Sequence, residues 1–170
     1  MRWNWICLWA ALAGSAAAQD WQPSAAQKAA SVALVENYFA ALDDGRVTEA
    51  RGYFLPVVAA RFTAEELAAR AADNSARYGD RIDFRVRGVN WAPTGANIGT
   101  GVVALVDFEG RTDRPAILCG TVTIVEMSLA AFQIYGVDET SVPLDLLNRM
   151  DPTERRDLLD RQGCRHLLAQ

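Results

Sequence analysis

The spacing of apolar positions changes character twice along this chain, from helical steps to strict alternation and back. Residues 24 to 43 place Val32, Val35, Phe39 and Leu42 at steps of three and four, with Tyr38 beside them and Glu36 and Asn37 opposite. That is the period of an amphipathic helix. It ends at Asp43-Asp44-Gly45, where glycine can take the left-handed conformation that closes a helix. A short helix over 47 to 54 follows, with Pro56 behind it as a stop signal. The third helix has the strongest start signal. Thr63 and Glu66 match a capping box, and Phe62 and Leu67 occupy the two positions of a hydrophobic staple. Leu67, Ala71, Asn74 and Tyr78 then share a face up to Gly79, with Asn74 marking the edge of the stripe.

Alternation takes over at Ile82. Ile82, Phe84 and Val86 alternate with Asp83, Arg85 and Arg87, the pattern of a strand with one face in a core. Past Gly88 the apolar positions become Val89 and Trp91, so the parity has flipped. One extra residue in a ladder does this, and it predicts a β-bulge at Gly88. A loop over 92–96 leads to a strand from Ile98 to Phe108, a hairpin connection over Glu109 to Arg114, and a strand from Ala116 to Met127. A tight Ser128-Leu129-Ala130 turn gives the last strand, Ala131 to Val137. From Asp138 onward the pattern is helical, with Asp151, Pro152 and Glu154 at N-cap, N1 and N3 and Gly163 as a stop. Helices that precede the strands rather than interleave with them predict an α+β fold. The expectation is three N-terminal helices on a curved antiparallel sheet of about four strands, with a helical extension over 139–170 docked on the sheet.

Residues 1–18 read as an address. Arg2, the apolar run Trp3 to Gly14 and the small residues Ser15 to Ala18 make a secretory signal peptide with cleavage near Ala18, which implies a periplasmic or secreted protein with no stable membrane insertion afterwards. The run is short for a spanning helix, and Cys7 stands too early in it for lipidation. The remaining domain is read as 19–138, followed by the extension. The formal net charge is −4, and loss of Arg2 with the leader makes it −5. Such acidity, with arginines scattered and Lys28 the only lysine, argues against nucleic acid as a partner. Cys119 and Cys164 remain, an even pair read first as a disulfide in an exported chain. On the third strand Leu118, Val122 and Ile124 share the core parity while Cys119, Thr121 and Thr123 point to the outer face. Cys164 lies past Gly163, behind Leu158 and Leu159. The alternative is two thiols that never meet. Two cysteines and the lone, distant His166 do not make a metal site, and no cofactor is implied.

The order of elements and the segments VENYFAALDDGRVTEARGYF and FTAEELAARAADNSARYGDRIDFRVRGVNW resemble the nuclear transport factor two-like, or cystatin-like, superfamily over roughly residues 27 to 138. The resemblance implies a cone-shaped fold with a pocket between helices and sheet. By that analogy Tyr38, Phe54, Tyr78 and Trp91 are pocket-lining candidates, although core packing is the first account of aromatics at such spacing. Members include isomerases and cyclases that use a buried carboxylate or histidine as a base. Fold does not carry activity with it.

Candidates for catalysis are few. Asp83, Arg85 and Arg87 read as a solvated row held by cross-strand pairs, Asp43-Asp44 as turn formers, and Asp107 as a carboxylate that Arg114 can pair across the hairpin. No phosphate-cradling glycine motif occurs. The reading is therefore an exported, non-catalytic domain that binds a small apolar ligand or an envelope protein; the alternative is a cofactor-free isomerase or cyclase with a buried carboxylate. A cavity of about 300 Å³ or more with a desolvated carboxylate favours the enzyme, a cavity without one favours binding, and a filled cone favours interaction. Val102, Ala104 and Val106 face one side of their strand and Val103 and Leu105 the other, so the outer face needs a cover, either the extension or a second copy in a homodimer. Intact-mass analysis of periplasmic material is expected to place the mature N-terminus at Gln19 or within a few residues of it; a full-length membrane-bound species would contradict the leader.

Overall fold

A computed structural model describes residues 21–93 and 101–164. The leader with Cys7, the loop over 94–96, the expected strand start at Ile98 and His166 lie outside the described residues. The fold is α+β, with a single open antiparallel sheet in the order β1-β2-β3-β4. Four helices precede it: α1 (Ala25–Asp43), α2 (Val47–Gly52), α3 (Pro56–Ala59) and α4 (Ala64–Tyr78). The strands are β1 (Arg81–Pro93), β2 (Val102–Thr112), β3 (Ala116–Ser128) and β4 (Ala131–Pro143), and α5 (Leu144–Arg149) and α6 (Pro152–Arg161) follow.

Local signals account for most of these boundaries. Ser24 and Gln27 close a capping box at the start of α1, and Gly45, at φ 71°, ends it. Thr63 and Glu66 cap α4 reciprocally. Asp151 accepts from the backbone N–H groups of Thr153 and Glu154 at the start of α6, which ends at Gly163 with φ 74°. Pro56 does not merely stop α2. It occupies the first position of α3, where its missing N–H costs nothing, so the N-terminal helices number four rather than three.

The bulge expected at Gly88 is present: Val86 pairs with Phe108 and Gly88 with Asp107, leaving Arg87 as the extra residue. Phe84, Val86, Val89 and Trp91 all pack on the core across this flip. A second irregularity between Arg81 and Asp83 turns Ile82 out, so that it is exposed instead of core-facing. The strand bounds also move. Glu109 to Thr112 belong to β2, not to a hairpin loop, and the connection shrinks to Asp113–Pro115. Residues 138–143 continue β4, so the 138/139 boundary falls inside a strand and the extension starts at Leu144.

Two apolar clusters lie on opposite faces of the sheet. On the helix side, Val35, Tyr38 and Phe39 of α1, with Phe54 and Leu67, pack against Val106, Phe108, Leu118, Val122, Ile124 and Ile134. On the outer side, Leu147 and Leu159 of the extension pack with Cys119, Val142 and Cys164, supported by Ile117, Leu144 and Leu158. The extension thus covers one end of the outer face. Val103 remains half-buried and Leu105 exposed beyond it.

Cys119 and Cys164 form a disulfide with Cα atoms 5.4 Å apart, both side chains buried. It fastens the end of α6 to the first part of β3. The sequence separation of 45 residues makes the closed loop long, so the bond constrains the unfolded chain by roughly 4 kcal/mol on the chain-entropy account. A Cys164→Ala variant is expected to lose stability on that scale in denaturant unfolding, and non-reducing peptide mapping of the parent should recover the Cys119–Cys164 pair. Free alkylation of both thiols in unreduced, denatured protein would contradict this.

Candidate active site

Helix α4 packs on α2 rather than down onto the sheet. Of its fifteen residues only Leu67 is buried. Its C-terminal end is held by the β2–β3 connection: the Asp80 N–H donates to Asp113 Oδ1 at 2.9 Å, the Asp113 N–H donates to the Asp80 carbonyl at 2.9 Å, and Arg114 reaches the Ala76 carbonyl. Gly79 permits this closure, since with φ 88° any Cβ there would fall 2.1 Å from Asp113 Oδ1. At the other end Arg51 donates to the carbonyls of Ala59 and Phe62. The helix is pinned at both ends and stands off the sheet between them.

The space beneath it is a cavity of about 1020 Å³, bounded by α1, α4, the α2–α3 segment and the far end of β4. Tyr38, Phe54 and Tyr78 all line it. The Tyr38 and Phe54 rings meet edge to face at 5.5 Å, and Phe54 continues to Phe62 at 5.1 Å. Trp91 is elsewhere. It lies toward the opposite end of the sheet, 6.2 Å from Trp21 and 5.9 Å from Phe132, where it closes the core instead of lining a site. The row Leu67, Ala71, Asn74 and Tyr78 faces the cavity as its spacing implies.

The polar end of the cavity was not legible beforehand. Glu139 pairs in register with Gly120 on the helix-facing side of β4 and lines the cavity with only 18% of its side chain exposed. Asn74 donates to Glu139 Oε1 at 3.4 Å, and Arg81 Nη2 lies 3.9 Å from Oε2. Arg81 is committed elsewhere: its Nη1 donates to both oxygens of Asp43 at 3.0 and 3.2 Å, and its guanidinium lies 4.3 Å from the centre of the Phe39 ring. Burial pushes the Glu139 carboxyl above the ordinary carboxylate range, and the shared Arg81 does not bring it back. Burial, then the charge of Glu139, pushes the Tyr38 phenol up as well, so it remains a neutral donor.

The other candidates fall outside this cavity. Asp107 is on the outer face, accepting from Asn90 at 3.0 Å and Thr121 at 2.8 Å, and Arg114 does not meet it but binds the end of α4. Asp83 pairs with Arg111, while Arg85 and Arg87 converge on Glu109. That row is held by cross-strand pairs as expected, but its centre, Glu109, is buried. Burial opposes its charge, and the hydrogen bonds from Arg87 and Arg85 outweigh burial and hold it below the ordinary range. Asp44 closes α1 and pairs with Arg46, as a turn residue should, whereas Asp43 anchors Arg81. Among the described residues no group of three or more His, Cys, Asp or Glu is placed to hold a metal ion, and no helix is long and apolar enough to cross a membrane. No protein-family model matches this chain, and no curated protein or solved structure matches it.

The sign of the Glu139 shift makes a stability prediction. The folded state keeps this proton at pH values where the unfolded chain, near its ordinary value of 4.5, has released it. The associated stability is complete at low pH and is lost as pH rises through the folded value. Glu139→Gln removes the ionisation, so the variant should melt above the parent at pH 7.5, with the gap closing toward pH 4. Thermal unfolding across that range checks it; a variant that melts lower at pH 7.5 would mean that pairing with Arg81 outweighs burial.

Proposed function

We propose that this chain is an exported small-molecule-binding protein of the nuclear transport factor two-like type, and that the cavity beneath α4 is its working site. The observation that carries the reading is the amphipathic face of α4. Its apolar stripe, which in a filled fold would be packed on the sheet, borders open space of ligand size. A ligand there supplies the missing contact. Helices preceding a four-stranded antiparallel sheet, with a pocket between the two layers, are what supports the superfamily likeness. The Cys119–Cys164 bond and the leader-like first residues support export.

A second reading has a specific observation behind it. Glu139 is a desolvated carboxylate inside the cavity, beside the neutral phenol of Tyr38, and a carboxylate whose pKa burial has raised is a stronger proton acceptor than an ordinary one. Binding is the step both readings share, so it is the one to test first. Ala71→Trp places an indole in the cavity from α4 and is expected to abolish binding of apolar probes such as 1-anilinonaphthalene-8-sulfonate while the capping box and melting temperature are kept. Equal probe binding by parent and variant, read by fluorescence titration, would move the site elsewhere.

A further inference from the structure

The charges around the deep end of the cavity do not balance. One guanidinium, Arg81, serves two carboxylates, Asp43 and Glu139. Its Nη1 is bound to Asp43, and its Nε is buried without a hydrogen-bond partner. Glu139 receives one long hydrogen bond from Asn74 and stands 3.9 Å from Arg81. An ionised carboxylate has about four lone-pair sites. Most of the accepting capacity of Glu139 is therefore unused, and it borders a cavity whose lining includes the apolar and aromatic side chains Tyr38, Phe54, Phe62, Leu67 and Tyr78.

Resting on the pocket reading above, we infer that the cavity selects a hydrophobic amine: a molecule with an aromatic-sized apolar body and a protonated nitrogen that donates to Glu139. A carboxylate-bearing ligand meets the opposite situation. Arg61 and Arg70 line the rim, both exposed, while Arg81, the one interior cation of the cavity among the described residues, is already shared. A neutral alcohol can donate to Glu139 but leaves its charge uncompensated in a desolvated site, which costs more than in water. The ammonium supplies both the donor and the missing charge.

Proton linkage separates these cases. The groups facing Glu139 are Tyr38 and Asp43 from α1, Asn74 from α4, and Arg81 from β1, while Arg70 of α4 acts on Tyr38. A bound cation favours ionised Glu139, so amine binding expels a proton wherever part of the free protein is protonated there. A neutral ligand on a protonated Glu139 expels none.

The test uses three probes with one apolar body: tryptamine, tryptophol and indole-3-propanoate, titrated calorimetrically into the oxidised chain. At pH 7.5 tryptamine should bind at least about tenfold tighter than the other two, the range a charge-assisted hydrogen bond supplies. Glu139→Gln should bring the three to within about threefold of one another, as expected when that bond is lost. Titrations at pH 5.5 in buffers of different ionisation enthalpy should show proton release by the parent on tryptamine binding, and none by the variant. Tryptophol or indole-3-propanoate binding as tightly as tryptamine, with Ala71→Trp still abolishing binding, would overturn the amine inference and leave the pocket reading standing. Failure of all three probes to bind would overturn both.

Discussion

An open four-stranded antiparallel sheet with apolar residues on both faces cannot stand alone in water, and every other element answers to that fact. On β3, Leu118, Val122 and Ile124 demand cover from one side, and Ile117 and Cys119 demand it from the other. The N-terminal helices meet the first demand and the extension the second. The two covers are unequal. α1 contributes four buried apolar side chains, Val35, Tyr38, Phe39 and Ala41, whereas α5 and α6 contribute Leu147 and Leu159. A pair of short helices with so little apolar area gains little from burial alone. The covalent link from Cys164 to β3 compensates for that.

The same layer logic explains why a cavity exists. α1 packs on the sheet along its length, but α4 is suspended between Arg51 at one end and the Asp113–Arg114 turn at the other. Helix and sheet diverge where β4 runs on past Val137. Past Val137, the residues of β4 that line the gap, Glu139 and Ser141, are polar because they border a cavity and not a packed core.

That reversal also marks where the sequence was readable. Caps were legible because they are local: Thr63 and Glu66 need only three residues of context. The bulge was legible because parity is arithmetic, and the apolar set moves from Val86 to Val89 across Gly88. The Cys119 assignment to the outer face rested on the same counting. The end of β4 was not legible, since Asp138-Glu139-Thr140-Ser141 carries no apolar alternation, and the residues that give the site its chemistry are those that erase the strand's signature. Glu109 was missed for a related reason. Glu109-Gly110-Arg111-Thr112 has turn composition, but Gly110 is there because a Cβ would lie 2.4 Å from the Asp83 carbonyl, so a strand was mistaken for a loop. Trp91 was grouped with the pocket by residue type, yet parity fixes only the face of a strand and says nothing of which end a residue occupies.

The bulge at Arg87 has a further consequence for how the molecule behaves among its neighbours. β1 is an outermost strand, and a long, flat, unpaired edge invites strand addition by other chains. Here the first half of that edge alternates Arg81, Asp83, Arg85 and Arg87, and the ladder is interrupted twice, at Ile82 and at Arg87. An incoming strand would meet charges at every second position and a backbone that twists out of register before it could form a continuous set of hydrogen bonds. The device that re-aims Val89 and Trp91 into the core therefore also makes the β1 edge a poor template for aggregation.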